Sequence, residues 1–320
     1  MANSSIQPNS VVDDKLDIFA QDAKNLWLEQ GFKWLVRAFA IFVVFMFLWM
    51  IYIIFQEAKP AVEKFGLGFL WSQEWDTVEG VYGALPYIYG TVISSFLAIL
   101  IAIPVGLAIA LVTSEDFFPS YVRSPIAFIV ELIAAIPSVI IGLWGVFVLI
   151  PVLVPLQTWL SENLAWIPFF ATESPSGDNL LTAGIILAIM ILPTMAAISR
   201  DVLLVVPKHY RTGSMALGAT RWETIFKVLL PSGFSGIVGA TMLALGRALG
   251  ETMAVTMVIG NSEFISTSLL DASYTIPAVL ANEFAEAENR LHVGALTYLA
   301  LVLFVVTLAV NIGAVVLVQC

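Results

Sequence analysis

Long apolar stretches alternate with short polar segments along the whole chain. Six stretches are long enough to cross a hydrocarbon layer of about 30 Å, which takes about 20 helical residues. They are Phe32–Phe55, Ala84–Val112, Pro125–Leu149, Leu180–Ser199, Phe234–Gly260 and His292–Val318. Transmembrane β-strands would instead give short segments of alternating polarity. The pattern therefore predicts an all-α polytopic membrane protein with six transmembrane helices.

The composition agrees with this prediction. Of the 320 residues, 59% are hydrophobic and 12% charged, and the mean hydropathy is +0.93. Soluble domains are about 45–50% apolar and about 25% charged, so both a soluble globular fold and a disordered chain are excluded. The polar segment before Phe32 argues against a cleavable signal peptide. The single cysteine, Cys320, excludes an internal disulfide framework, and we interpret it as functionally neutral.

The distribution of basic residues predicts the orientation. Most of them lie in the N-terminal segment and in the loops after the second and fourth apolar stretches. They are Lys15, Lys24, Lys33, Arg37, Arg123, Arg200, Lys208, Arg211, Arg221 and Lys227. Loops rich in Lys and Arg stay in the cytoplasm. Both termini are therefore predicted to be cytoplasmic, and the acidic loops extracytoplasmic.

These features divide the chain into four parts. Residues 1–31 form a cytoplasmic tail, 32–55 the first transmembrane helix and 56–83 an extracytoplasmic interfacial segment, while 84–320 form a membrane core with a cytoplasmic loop at 200–231. The aromatic residues of the third part suit either a short helix at the membrane–water boundary or a tether with interfacial anchors.

The cytoplasmic loop is predicted to fold as a helix, a glycine turn and a second helix. The first helix covers Lys208–Leu217, and Gly218 follows where a left-handed C-cap residue is favoured. Thr220 and Glu223 have capping-box spacing, and Pro231 is predicted to end the second helix. Such a hairpin can lie on the membrane surface or dock into a groove of a cytoplasmic partner.

Two charged residues, Arg247 and Glu251, fall inside the fifth apolar stretch. Each costs at least about 2.5–3.5 kcal/mol at membrane depth, so a lipid-facing position is excluded. Their spacing predicts that they project from one helix face and can touch, and Gly246 and Gly250 would permit a close helix approach. Two interpretations remain: a self-neutralising structural pair, or an anion site in which Arg247 donates to a tetrahedral oxyanion and Glu251 orients it.

The loop carries a family pattern. Gly218, Val228, Leu230 and Pro231 have the spacing of the EAA loop, so the chain resembles the permeases of ABC importers. The resemblance implies a type I (MetI-like) permease core, in which this loop is the coupling helix that fits a cleft on the ATPase. The residues assigned to the ATPase contact are Ala216, Leu217, Gly218, Ala219 and Thr220. The Glu-Ala-Ala of the motif is replaced here by Thr212-Gly213-Ser214, which removes its acidic residue.

Further segments resemble phosphate importer permeases of the PstC type, and the resemblance covers nearly the whole chain beyond residue 60. The segments are Arg247–Thr256, Gly83–Thr91, Ile136–Ser138, Gly142–Gly145 and Ala281–Glu288. The resemblance implies ATP-driven import of inorganic phosphate by alternating access. It also implies that four residues take part in substrate translocation, namely Arg247, Glu251, Thr252 and Ser138.

The same resemblance implies the partners and the location. The partners are a homologous PstA-type permease subunit in a heterodimer, two copies of a cytoplasmic ABC ATPase, an extracytoplasmic phosphate-binding protein, inorganic phosphate and membrane lipid, without nucleic acid. The location is the bacterial plasma (inner) membrane. No glycine is followed by lysine, so the chain has no P-loop, and we expect neither enzyme activity nor a cofactor or metal. The alternatives are a permease for another oxyanion, such as sulfate or phosphonate, and a stand-alone secondary anion transporter.

Overall fold

A computed structural model of the chain describes residues 9–115 and 119–319, with most side chains from residue 29 onward. Cys320 and the beginning of the predicted cytoplasmic tail lie outside the described residues, so the interpretations of both stay predictions. The described part is almost entirely helical, and six of its segments are long and apolar enough to cross a membrane. This confirms the predicted fold class.

The described chain forms two compact units, one up to Gln56 and one from Glu57. The first unit is part of helix α1 (Asn9–Phe65). Its large apolar side chains between Phe32 and Phe55 are exposed, as expected for a helix surface that lipid covers. The second unit contains the other described helices.

Helix α6 (Leu180–Val205) lies at the centre of the second unit. It packs along α2 (Leu85–Ser114) and α9 (Leu230–Leu249), and α9 also packs on α12 (Arg290–Gln319). A Cβ atom at Gly184 would lie 2.8 Å from the Leu97 Cβ, so the glycine permits the close approach of α2 and α6. The main core is therefore built of small and aliphatic side chains, most of them from these three helices and the others from residues 141 and 254–259.

The third predicted span, Pro125–Leu149, is wrong in its boundaries. Helix α3 (Ser120–Ala134) ends before Pro137, and α4 (Ser138–Trp144) continues through a π-helical turn into α5 (Ile150–Asn163). A proline disfavours helical geometry in the residue before it, so the apolar run is split where the sequence reads as continuous. The segment that can cross the membrane is Ser138–Asn163.

The fifth predicted span, Phe234–Gly260, is also displaced. Helix α8 (Arg221–Thr224) continues through a π-helical turn into α9, and Pro231 lies in the first turn of α9 instead of ending a helix. The membrane-crossing segment is Arg221–Leu249. The helix stops at Gly250, and a short separate helix, α10 (Met253–Val258), follows.

Both π-turns precede a proline by the same spacing. The turn Gly145–Leu149 ends two residues before Pro151, and the turn Ile225–Leu229 ends two residues before Pro231. Proline removes one rung of the helical hydrogen-bond ladder and crowds the preceding turn. A π-turn widens that turn by one residue, which lets each helix continue past its proline.

The chain between α10 and α12 folds back onto the bundle and includes α11 (Ile276–Glu283). The Leu181 N–H donates to the Leu269 carbonyl at 2.8 Å, and the Ser273 N–H donates to the Ile259 carbonyl at 3.0 Å. These bonds tie the returning chain to the beginning of α6 and the end of α10.

The aromatic segment 56–83 packs against α12, and its location at the membrane–water boundary stays a prediction. It contains a short 3₁₀ turn, Gly66–Leu70, whose Phe69 is buried and stacks on Tyr298 with ring centroids 4.4 Å apart. Trp71 is 76% exposed and suits an interfacial anchor. The segment is therefore a packed aromatic cluster with one exposed tryptophan, because α12 offers an aromatic surface that the local sequence does not reveal.

Candidate functional site

Arg247 lies in the last turn of α9, with an exposed side chain. Its NH1 donates to the Thr194 Oγ1 at 3.3 Å. Thr194 stands near the middle of the 26-residue helix α6, so Arg247 lies level with the middle of the bundle. A permanently charged group at that depth requires polar or aqueous surroundings.

The guanidinium borders an open recess of about 590 Å³. The residues that line the recess are Thr194, Gly239, Met242, Leu243, Gly246, Arg247 and Asn311. Among them Arg247 alone carries a charge. A Cβ atom at Gly239 or Gly246 would meet no atom within 4 Å, so the glycines keep the α9 side of the recess open. The predicted close helix approach at Gly246 is therefore not present within the described chain.

Glu251 does not share a helix face with Arg247, because α9 ends at Leu249. Its Oε1 accepts a hydrogen bond from the Ala254 N–H at 3.4 Å, at the beginning of α10. The expectation that the two charges project from one helix face assumed an unbroken helix and is not met. Thr252 lies in the same break, where its Oγ1 donates to the Gly250 carbonyl at 3.4 Å.

Ser138 begins α4, directly after the break at Pro137. Helix α4 packs on α10, and a Cβ atom at Gly142 would lie 2.8 Å from the Met257 Sδ and 3.0 Å from the Ala254 Cα. Two interrupted segments therefore meet, the one that begins at Ser138 and the one that follows Thr252. Breaks of this kind at membrane depth are tolerated beside protein or a water-filled cavity.

The segment Gly83–Thr91 holds the returning loop against α2. The Ile276 N–H donates to the Thr91 Oγ1 at 2.9 Å, and the Tyr89 hydroxyl donates to the Ser266 carbonyl at 2.8 Å. A Cβ atom at Gly90 would overlap the Tyr274 carbonyl oxygen. This motif therefore fixes the beginning of α2 to the loop that carries acids predicted to be extracytoplasmic.

The predicted helix–glycine–helix hairpin is present. Helix α7 (Lys208–Ala216) ends beside Leu217, Gly218 has φ +87°, and Thr220 caps α8. The Thr220 Oγ1 accepts from the Glu223 N–H at 3.3 Å, while the Glu223 Oε2 accepts from the Thr220 N–H at 2.9 Å. The capping box is therefore confirmed.

The residues that the sequence analysis assigned to the ATPase contact form the tip of this hairpin. Ala216, Leu217, Gly218 and Thr220 are exposed, and Leu217 is 91% exposed. Ala219 is half-buried, and its N–H donates to the Ser214 carbonyl at 3.2 Å. An exposed leucine beside an exposed stacked aromatic pair, Trp222 with Phe226, presents apolar surface of the kind that marks protein–protein contacts.

A part-buried ion pair, which sequence reasoning missed, anchors the hairpin. The Arg211 Nε and NH2 donate to the Glu115 Oε1 at 3.0 and 2.7 Å. NH1 and NH2 also donate to the carbonyls of Val206 and Leu203, each at 2.8 Å. Arg211 therefore joins α7 to the ends of α2 and α6. No local pattern could reveal the partner, since Glu115 lies 96 residues away.

The substituted motif Thr212-Gly213-Ser214 also has a structural role. The Ser214 Oγ and Thr224 Oγ1 lie 3.0 Å apart, and Thr224 in turn donates to the Thr220 carbonyl at 3.1 Å. Ser214 thus links α7 to α8 across the glycine turn, so the hairpin is closed without the acidic residue of the motif.

The end of the bundle away from the hairpin carries an acidic recess of about 560 Å³. Glu283 accepts hydrogen bonds there from the Trp75 Nε1 and pairs with the His292 Nε2, both at 3.0 Å. Burial, together with the neighbouring Glu283 and Asp76, raises the pKa of Glu263 above its ordinary value. The segment Asn282–Glu288 contributes to this recess.

A comparison with known families identifies the class. The family model "Binding-protein-dependent transport system inner membrane component" matches residues 102–319. The fold agrees: one chain of an inward-facing MetNI methionine ABC transporter structure aligns with a TM-score of 0.52 and 18% identity, over 76% of this chain and 94% of that one. The bundle and its hairpin thus define a membrane permease component of a binding-protein-dependent transporter.

Comparison with individual relatives in sequence shows to which family of permeases the chain belongs. The Phosphate transport system permease protein PstC of Xylella fastidiosa is 41% identical over 92% of this chain and 91% of its own length. The protein of the same name from Mesorhizobium japonicum is 45% identical, over 85% and 84% respectively. The chain belongs to the PstC family of ABC importer permeases.

Proposed function

We propose that this chain is the permease subunit of an ATP-driven importer of inorganic phosphate in the bacterial plasma membrane, with both termini in the cytoplasm. Its PstC relatives are named as phosphate transport permeases and align over most of its length, which supports this substrate. A stand-alone secondary transporter is disfavoured because the chain belongs to a binding-protein-dependent family.

The observation that carries the proposal is the position of Arg247. Its guanidinium is the one charged group among the described residues that line an open recess at mid-bundle depth. A planar donor fork with permanent charge suits a tetrahedral oxyanion. A cation would instead require an excess of carboxylates. We assign Glu251, Thr252 and Ser138 to the same pathway, where helix breaks leave polar groups at membrane depth.

Transport in this proposal proceeds by alternating access. Closure of an ATPase dimer moves the hairpin tip, Ala216–Thr220, and the bonds of Arg211 and Ser214 transmit that movement to α2, α6 and α8. The bundle then exposes Arg247 to one side of the membrane and afterwards to the other. Phosphate is held transiently and released inward.

The hairpin tip and the open recess at Arg247 also support the proposed partners. A cytoplasmic ABC ATPase, in two copies per transporter, would take the exposed Leu217 and its aromatic neighbours in a groove. A PstA-type permease would complete the pathway as a heterodimer, since the recess at Arg247 is open on one side. An extracytoplasmic phosphate-binding protein would deliver the substrate to the acidic end.

Uptake of radiolabelled phosphate tests the proposal, in proteoliposomes that contain this chain and its three partners. Wild type should take up phosphate only with ATP. Arg247→Gln should lower uptake at least about tenfold, because a charge-assisted hydrogen bond contributes about 1.5–3 kcal/mol. Arg247→Lys, which keeps the charge without the fork, should be intermediate. Arg290→Gln, an exposed arginine at the beginning of α12, is the matched control.

Two outcomes would contradict the proposal in different ways. Unchanged uptake in an assembled Arg247→Gln transporter would make Arg247 structural. Wild-type uptake without ATP would overturn the ABC importer assignment and revive the secondary transporter. Competition with sulfate and phosphonate decides between phosphate and another oxyanion: an excess of the true substrate abolishes uptake of the label, and an excess of the others does not.

A further inference from the structure

A second recess, of about 440 Å³, lies at the hairpin end of the bundle. It is bordered by the end of α2, the beginning of α3, the end of α6 and the beginning of α7. Its basic residues are Arg123, Arg200 and Lys208. Its hydroxyl groups belong to Thr113, Ser114, Ser120 and Ser124. Among the described residues that line it, the recess therefore combines basic side chains with hydroxyl groups.

Two polar groups of this recess are buried without a partner. The Arg200 Nε and the Ser114 Oγ make no hydrogen bond in the described part of the chain. A buried donor left unpaired costs free energy, and such groups are expected to be satisfied by water, an ion or a ligand. Asp201, the acid nearest to Arg200 in sequence, lines a different recess beside α9.

Two helix ends add to the positive potential. Helix α3 begins at Ser120 and the nine-residue helix α7 begins at Lys208, and both residues line the recess. The first N–H groups of a helix lack partners within the helix and attract anions. Arg123 is held at the border by a 3.2 Å bond from its NH1 to the Glu115 carbonyl.

We propose that this recess binds a phosphate group, which belongs either to free inorganic phosphate or to the headgroup of an anionic phospholipid. The Arg200 guanidinium, the Lys208 ammonium group and the serine hydroxyls together suit a tetrahedral oxyanion with more than one charged oxygen. The site is separate from the proposed translocation recess, because no lining residue is shared. It does not depend on the identity of the transported substrate.

The position of the recess is compatible with both sources. Ser114 is the last residue of α2 and Arg200 lies near the end of α6, so the site stands where a membrane-crossing bundle meets the headgroup layer. Leu204, which lines it, is 51% exposed, and Phe128 on α3 is 64% exposed. Acyl chains could cover these apolar groups, while a free phosphate would enter from the aqueous side.

The test measures binding to the purified full chain in two arms. In the first arm, native mass spectrometry counts the phosphatidylglycerol and phosphatidylcholine molecules retained from an equimolar mixture. In the second arm, equilibrium dialysis measures radiolabelled inorganic phosphate, in an Arg247→Gln background that removes the proposed translocation site. The variants are Arg200→Gln, Lys208→Gln and Ser124→Asp. Lys227→Gln, which lies outside the recess, is the control.

Preference for phosphatidylglycerol, or phosphate binding, should fall roughly tenfold in each recess variant and stay unchanged in the control. Loss in the first arm identifies a lipid headgroup, and loss in the second arm identifies free phosphate. Lys208 is exposed, so Lys208→Gln reports on binding even where Arg200→Gln impairs folding, which thermal unfolding of each variant monitors. Equal binding by wild type and all recess variants in both arms, or no binding by wild type in either arm, would overturn the proposal.

Discussion

Arg211 and Glu115 form an ion pair in which both the Nε and the NH2 of the guanidinium donate to the Glu115 Oε1. The two side chains are only 16% and 15% exposed. The pair joins α7, the first helix of the cytoplasmic hairpin in the predicted topology, to the end of α2. Because charged groups this far from water depend on each other, removal of one partner leaves the other unsatisfied.

Replacement of Glu115 should therefore destabilise the protein. We expect Glu115→Gln to lower the free energy of unfolding by roughly 3 kcal/mol, the range found when one partner of a buried pair is removed. Thermal unfolding of the full chain in detergent measures this loss. Glu131→Gln, an exposed glutamate on α3, should have little effect. An equal effect of both variants would mean that the pair does not anchor the hairpin.

Two glycines allow a matched test of close packing. Gly90→Ala should destabilise by about 1–3 kcal/mol, because the added methyl group would overlap the Tyr274 carbonyl. Gly239→Ala places the same methyl group in open space within α9 and should stabilise the helix by about 0.5–1 kcal/mol. Opposite shifts of the melting temperature are the expected result, and a neutral Gly90→Ala would contradict the packing of α2 on the returning loop.

The acidic recess predicts a dependence of stability on pH. The pKa of Glu263 is raised above 4.5 by burial first and by Glu283 and Asp76 second. A raised carboxyl pKa contributes stability that is present below pH 4.5 and is lost as the pH rises through the raised value. Glu263→Gln should therefore raise the melting temperature at pH 8 and change it little at pH 4.

The control for this experiment is Glu173→Gln, an exposed glutamate in another loop. It should leave the difference between the two pH values as in wild type. A Glu263→Gln variant that is less stable than wild type at pH 8 would show that the ionised carboxylate is favourable there, and the assumed repulsion would be wrong.

The hairpin tip predicts a defect in coupling without a defect in folding. Leu217 is 91% exposed, so Leu217→Asp should change the free energy of unfolding by less than about 0.5 kcal/mol. Thermal unfolding of the variant measures this change. The same change should reduce binding of the ATPase and substrate-stimulated ATP hydrolysis at least about tenfold, as expected at a central apolar contact.

Leu67→Asp is the matched comparison, since Leu67 is 75% exposed at the beginning of the 3₁₀ turn. It should leave ATPase binding intact in the purified complex. Full stimulation of ATP hydrolysis in the Leu217 variant would remove the tip from the proposed ATPase contact.

Local features were predictable from the sequence, and long-range ones were not. The glycine turn at Gly218 and the capping box at Thr220 depend on residues three to four positions apart, so their sequence signature is complete. The pairing of Arg211 with Glu115 and the packing of Gly90 on Tyr274 join distant segments, and neither residue of a pair indicates the other. Hydropathy located the apolar stretches, but it could not separate a proline that breaks a helix, Pro137, from one that a helix passes, Pro231.

The same limit applied to the candidate site. The cost of a charge at membrane depth drew attention to Arg247 in the sequence, and in the structure its hydrogen bond to Thr194 lies near the middle of α6. Its expected contact with Glu251 relied on helical periodicity across Gly250, where the helix in fact ends. The basic recess at Arg200 brings together four chain segments and had no signature in any one of them.

The π-turn Ile225–Leu229 sets the angle, about the helix axis, between the hairpin and the side chain of Arg247. A helix with one residue added in a wide turn rotates everything beyond it by about 100°, the angle of one residue in a regular helix. The hairpin before the turn and the guanidinium after it therefore differ in helical phase by that angle. Deletion of one residue between Ile225 and Leu229 would restore a regular phase and turn the hairpin relative to Arg247 about the helix axis, although every residue of the recess itself would be unchanged.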